Sequence, residues 1–190
     1  MKLKIYIDKG ITPDAAKTGW ISKEDDHARR HAAIRPCVDA FLQYEMNEKT
    51  GILLAFRDGI PPAGNTLWVP GGEWKRGFMD SAEALKSKIK DETNLDIAGI
   101  EYMGMVSILW KESPYNTKEF AAERFKRKFG EGIHDVGHVF FAKAAGKLIL
   151  KTMAPPIIIV TKDNYDEIMS KYNAHDYIRT FVKEALSRVR

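Results

Sequence analysis

The sequence predicts an α/β fold of the α+β kind, an α/β/α sandwich around a mixed central sheet. Three observations carry this reading. Short apolar strand-like runs recur along the chain. Helical stretches fall before, within and after them, which favours helices on both faces of one sheet. A paired-glycine turn, Gly71-Gly72, leads through a polar loop into a helix ending in adjacent carboxylates, Asp91 and Glu92.

The elements follow in order. Residues 2–8 alternate polar and apolar and predict a first strand. Ser22-Lys23-Glu24-Asp25 has the pattern of an N-cap with acidic first-turn residues and opens a helix to about Ala33. Pro36 ends that segment. Cys37 to Met46 predicts a strand, Asn47 to Gly51 a turn, and Ile52 to Arg57 the hairpin partner. Residues 58–66 form a Pro/Gly/Asn loop, and Leu67-Trp68-Val69 a short strand before the glycine pair. Ser81 is positioned to cap the next helix, with Ala82, Leu85 and Ile89 on its buried face. Asn94 can take the left-handed conformation that ends it. Strands are expected around 100–110, over His138 to Ala144 and over 157–160, and helices around 163–171 and 174–189. The whole is expected to be one domain, with an N-terminal extension over 1–35 and an inserted basic segment at about 116–130.

Composition narrows the function. Of 190 residues, 44% are hydrophobic and 29% charged, as in a soluble globular domain. No apolar run approaches the roughly 20 residues of a membrane span, and the N-terminus lacks the apolar core of a signal peptide. The single cysteine, Cys37, rules out an internal disulfide and fits a reducing cytoplasm. Its strand position predicts a buried, inert thiol. A net charge of +4 favours an anionic small-molecule partner. No nucleic-acid-binding motif is visible, and the sequence leaves a homodimer open.

The candidate site centres on the helix after the glycine pair. Lys88, Asp91 and Glu92 lie at i, i+3 and i+4 and share a helical face. A carboxylate pair with carbonyls and waters can hold Mg²⁺, which keeps several waters when bound. Lys88 would weaken such a site by repulsion or contact phosphate itself. The same three residues also fit a solvated, salt-bridged face. Arg57, leaving a strand into the Pro-rich loop, suits bidentate contact to phosphate or a surface ion pair. Trp74 is the indole placed to stack on a base or sugar, whereas the strand position of Trp68 suits the core. His134 and His138 flank Asp135. His134, entering the strand, is the candidate general base, and His175 is expected to cap the last helix. The segment Asn116 to Phe129 interleaves Phe120, Phe125 and Phe129 with Lys and Arg. A lid, a dimer contact and a solvated helix all fit it.

These features resemble the Nudix hydrolases, whose box reads G-x5-E-x7-R-E-U-x-E-E-x-G-U with U aliphatic. Ile89, Asp91, Glu92, Asn94 and Leu95 fall on U, E, E, G and U. Ser87 falls on the R and Lys88 on the E that follows it. One extra loop residue is needed to reach the glycines, and Phe78 or Met79 stands where the first E belongs. The resemblance implies Mg²⁺ or Mn²⁺ held by Asp91, Glu92 and the Gly72 carbonyl. Within that superfamily, Ile21 to Asp25, Pro36 to Phe41, Gly51 to Arg57, Leu67 to Gly72 and Val136 to Phe140 are similar to the GDP-mannose mannosyl hydrolase branch. The similarity covers roughly residues 20–185. That branch also lacks one box glutamate and has an arginine where Arg57 stands. Its histidines in the segments matching Val106 to Trp110 and Leu150 to Pro156 have no counterpart here. The resemblance implies a metal-dependent hydrolase of a nucleoside diphosphate linked to another group, such as a sugar. The alternative is a Nudix domain that binds a nucleotide or a partner without turnover.

Overall fold

The strand β1 (Arg35–Met46) runs through the centre of the sheet and touches three others. The computed structural model describes residues 34–57, 65–75, 77–78, 80–110, 133–151 and 153–189. The expected first strand and helix, most of the Pro-rich loop and the basic segment at 116–130 lie outside these residues. β1 turns at Asn47 and Glu48, both at positive φ (52° and 61°), into β2 (Lys49–Arg57). Two consecutive left-handed residues match the twist of a tight hairpin. β3 (Thr66–Trp68) pairs with β2, and β4 (Gly71–Glu73) pairs antiparallel with β1. After helix α1 (Ser81–Thr93) come β5 (Asp96–Trp110), β6 (Ile133–Ala145) and β7 (Ala154–Val160). Helices α2 (Tyr165–Lys171) and α3 (Asp176–Leu186) close the chain. The path β3-β2-β1-β6-β5, with β4 on β1 and β7 on β2, makes a mixed sheet in which β1 and β6 run parallel.

Strand alternation builds the three layers. Val38, Ala40 and Leu42 of β1, with Leu53 of β2, pack against Ala84, Leu85 and Ile89 of α1. Phe41, Ile52 and Leu54 face the other way, onto Ile178 and Val182 of α3. Each core side chain of this kind contributes roughly 1.5–3 kcal/mol on burial.

Three local expectations are corrected. Asp80, not Ser81, caps α1: its Oδ1 accepts the N–H of Ala82 at 2.6 Å and of Glu83 at 3.2 Å. Asp is as good a cap as Ser and adds charge at the positive end of the helix. β1 begins at Arg35, not at the expected Cys37, so Pro36 lies within the strand; a proline is tolerated at the start of a strand. Gly71 and Gly72 are not only a turn, since both belong to β4 and face Asp39 and Val38 across the ladder. Asn94 does take the left-handed end of α1, at φ 60°, with its N–H bonded to Lys90 O. His175 does cap α3, its Nδ1 accepting the Tyr177 N–H at 3.1 Å.

Candidate functional site

A cavity of about 240 Å³ opens where β1, β4, the end of β2 and the C-terminal half of α1 meet. Its floor comes from Gly71 and Gly72, at φ 148° and 129°. A Cβ on Gly71 would lie 2.5 Å from both Asp39 Oδ1 and Val38 O, so only glycine lets β4 approach β1 this closely. Glu92, one of three buried acids among the described residues, reaches from α1 to this floor, and its Oε2 accepts the Gly71 N–H at 3.0 Å. Its Oε1 is ion-paired with Lys88 Nζ at 3.0 Å, one helical turn back.

Arg35, Asp39, Arg57, Trp68, Trp110 and Asp135 line the walls. Arg35 makes a two-pronged bond to Asp135, Nε to Oδ1 at 2.7 Å and Nη2 to Oδ2 at 2.5 Å, and Trp110 Nε1 donates to Oδ2 at 2.9 Å. Burial pushes the Arg35 guanidinium down, but the bond and charge of Asp135 outweigh it, and the net shift is upward. Tyr177 donates its O–H to Asp39 Oδ2 at 2.8 Å. Burial nevertheless raises the Asp39 carboxyl to about 6; Asp135 and Glu92 add to the rise, while the Tyr177 bond and Arg57 oppose it. Burial also lowers the Arg57 guanidinium, followed by repulsion from Arg35. An anion entering the cavity would therefore meet a partly desolvated cation. The Cys37 thiol, buried and pushed upward first by desolvation, is inert at neutral pH.

The structure brings together Arg57, Gly72, Lys88 and Glu92 of the expected site residues. It does not bring in Asp91, which is exposed and paired at 3.0 Å with Lys75. Asp91 and Glu92 are adjacent on a helix, so their side chains diverge by about 100°. Trp74 is engaged within the fold: its Nε1 donates to Phe78 O at 2.9 Å and its ring meets His138 edge-on at 5.6 Å. His134 sits within β6, not in a loop before it, because β5 extends to Trp110 and pairs with Ile133. Its Nε2 meets Ser107 Oγ at 2.8 Å, away from the cavity lining.

The Mg²⁺ or Mn²⁺ site expected from Asp91, Glu92 and the Gly72 carbonyl does not fit these residues as arranged. Asp91 faces outward, and Glu92 has one oxygen on a backbone N–H and the other on an ammonium. Among the described residues no three His, Cys, Asp or Glu side chains are grouped to hold a metal ion. Asp39, Asp135 and Arg35 escaped the sequence reading. The available signal was an acid within an apolar strand, Val38-Asp39-Ala40, since a buried carboxylate needs a partner.

The sequence matches no family model and no curated protein. Many solved structures share its fold. The MutT protein of Methanosarcina mazei superposes with a TM-score of 0.55 at 16% identity, over 82% of this chain and 94% of that one. The NUDIX domain of Shewanella oneidensis NrtR, in complex with ADP ribose, gives 0.54 at 14% identity, over 88% and 99%. This chain has the Nudix fold. A C. elegans Ap4A hydrolase shares that Nudix fold, at a TM-score of 0.51 and 11% identity over 82% of this chain and 97% of that one. In this Nudix-fold chain, α1 follows β4 in sequence, and the two meet at the cavity.

Proposed function

We propose that this chain is a Nudix-type hydrolase acting on a nucleoside diphosphate linked to another group. The observation that carries the reading is the convergence of Arg57, Lys88 and Glu92 on a glycine floor in one cavity. Arg57 would hold the diphosphate through its planar fork, with Lys88 as a second, point-like cation. Ligand sites that enclose a whole small molecule run roughly 300–1,000 Å³. At about 240 Å³, the cavity suits the diphosphate with one flanking group, leaving the rest outside. ADP ribose, bound by one fold neighbour, is a nucleoside diphosphate joined to a sugar, the substrate class this reading favours. A cytoplasmic location and a homodimer belong to the same proposal.

A specific observation favours a second reading, binding without turnover: the ion pair between Lys88 and Glu92 occupies the carboxylate that hydrolysis would use. A panel of nucleoside diphosphate sugars, dinucleotides and nucleotides separates the two. Each compound is incubated with Mg²⁺, Mn²⁺ or EDTA, products are followed by chromatography, and binding is measured in parallel by calorimetry. Cleavage supports the hydrolase and gives its metal requirement. Binding without cleavage assigns the module. The absence of both overturns either reading.

A further inference from the structure

We infer that the Lys88 ammonium takes the place of a divalent cation in this cavity, so that the site holds a diphosphate without metal. The inference rests on the proposed diphosphate site but not on hydrolysis. Lys88 Nζ lies 3.0 Å from Glu92 Oε1, with its side chain largely covered. A Cβ on Gly72 would lie 3.5 Å from Lys88 Cε and 3.8 Å from its Nζ, so the ammonium stands over the glycine floor. It thus occupies the space between the helix carboxylate and the Gly72 backbone, where the box pattern leads one to expect a metal ion.

The donors agree with this assignment. Mg²⁺ requires six oxygens in near-octahedral array. Glu92 can offer Oε1 only after displacing the ammonium, because Oε2 holds the Gly71 N–H. Asp91, turned toward Lys75, offers none. A dication entering beside Lys88 would also be repelled by it. An ammonium carries three donors; among the described residues one goes to Glu92, and the others can meet phosphate oxygens. Of the other acids lining the cavity, Asp135 is held by Arg35 and Trp110, Asp39 accepts from Tyr177, and Glu73 is engaged as well.

The test has two arms, neither of which needs turnover. Mn²⁺ binding to the protein alone is followed by electron paramagnetic resonance, and inorganic pyrophosphate binding in EDTA by calorimetry. Wild type should bind Mn²⁺ at least about tenfold more weakly than Lys88→Glu, which supplies a second carboxylate. In EDTA, wild type should bind pyrophosphate and Lys88→Arg should keep most of that affinity. Lys88→Met should lose about tenfold or more, the worth of a charge-assisted hydrogen bond. Melting curves of all three variants check that they fold. Mn²⁺ binding by wild type as tight as by Lys88→Glu overturns the inference. So does pyrophosphate binding that is absent from wild type in EDTA, or unchanged in a folded Lys88→Met. If both arms succeed while no nucleoside diphosphate is bound or cleaved, the proposed function fails and the role of Lys88 stands.

Discussion

Glu92 Oε2 accepts the Gly71 N–H at 3.0 Å and so ties the end of α1 to the backbone of β4. The carboxylate has a structural duty as well as a place in the cavity. Replacement by Gln keeps an acceptor for that N–H but removes the charge facing Lys88; replacement by Ala removes both. Glu92→Ala should therefore unfold at lower urea than Glu92→Gln, by about 1 kcal/mol, the typical worth of one hydrogen bond. If the reading of the cavity as a hydrolase site is right, Glu92→Gln should lose most turnover while remaining folded. Equal urea midpoints would mean that the bond to Gly71 contributes nothing.

The two glycines of the floor should respond differently to substitution. Gly71→Ala forces a Cβ within 2.5 Å of backbone and side-chain atoms of β1 at a φ of 148°. Neither neighbour is a flexible chain end, so a loss above about 3 kcal/mol is expected. At Gly72 the nearest atom is Lys88 Cε at 3.5 Å, an ordinary contact, and only the φ of 129° is unfavourable. Gly72→Ala should cost about 1–3 kcal/mol. Thermal melting of the pair checks the order, and similar losses at both positions would contradict this account of the floor.

Much of this floor was legible in the sequence and some of it was not. Local chemistry announces itself: Asn94 at the end of α1 and His175 before α3 are where capping rules put them. The layers follow from the alternation of Val38, Ala40 and Leu42 with Phe41. What local patterns cannot give is partners distant in sequence. Arg35 and Asp135 are 100 positions apart and meet because β1 and β6 are parallel neighbours. The direction of a helix side chain is similarly decided by what lies opposite. Asp91 and Glu92 looked equivalent in the box pattern, but β4 faces only Glu92, and Lys75 draws Asp91 outward.

Asp39 makes stability depend on pH. Its folded carboxyl titrates at about 6 against an ordinary value of 3.8, chiefly because it is buried. The raised value means the folded state binds the proton more tightly than the unfolded chain. The resulting stabilisation is complete below about pH 4 and is lost as pH rises through about 6, in total on the order of 3 kcal/mol. Asp39→Asn removes the titration. Urea unfolding of wild type and Asp39→Asn from pH 4 to 8 should show the wild type losing stability relative to the variant across that window. Parallel curves would place the Asp39 carboxyl in its ordinary range. Tyr177→Phe, which deletes the O–H favouring the carboxylate, should carry the decline to higher pH.

Arg57 tests the anion side of the cavity. Its guanidinium is partly desolvated and shares the space with Arg35, so a bound diphosphate would relieve repulsion as well as accept hydrogen bonds. Arg57→Lys keeps the charge but loses the fork, and should weaken binding of a nucleoside diphosphate about tenfold. Arg57→Ala loses charge and fork together and should weaken it further. Because the group is half-buried, added salt should narrow these differences only in part; screening over a Debye length of about 8–10 Å acts mainly on exposed charges. Calorimetric titration with ADP at low and high salt measures both effects. Affinity that Lys restores in full would make Arg57 a simple point charge, and affinity unchanged in Arg57→Ala would move the diphosphate away from the end of β2.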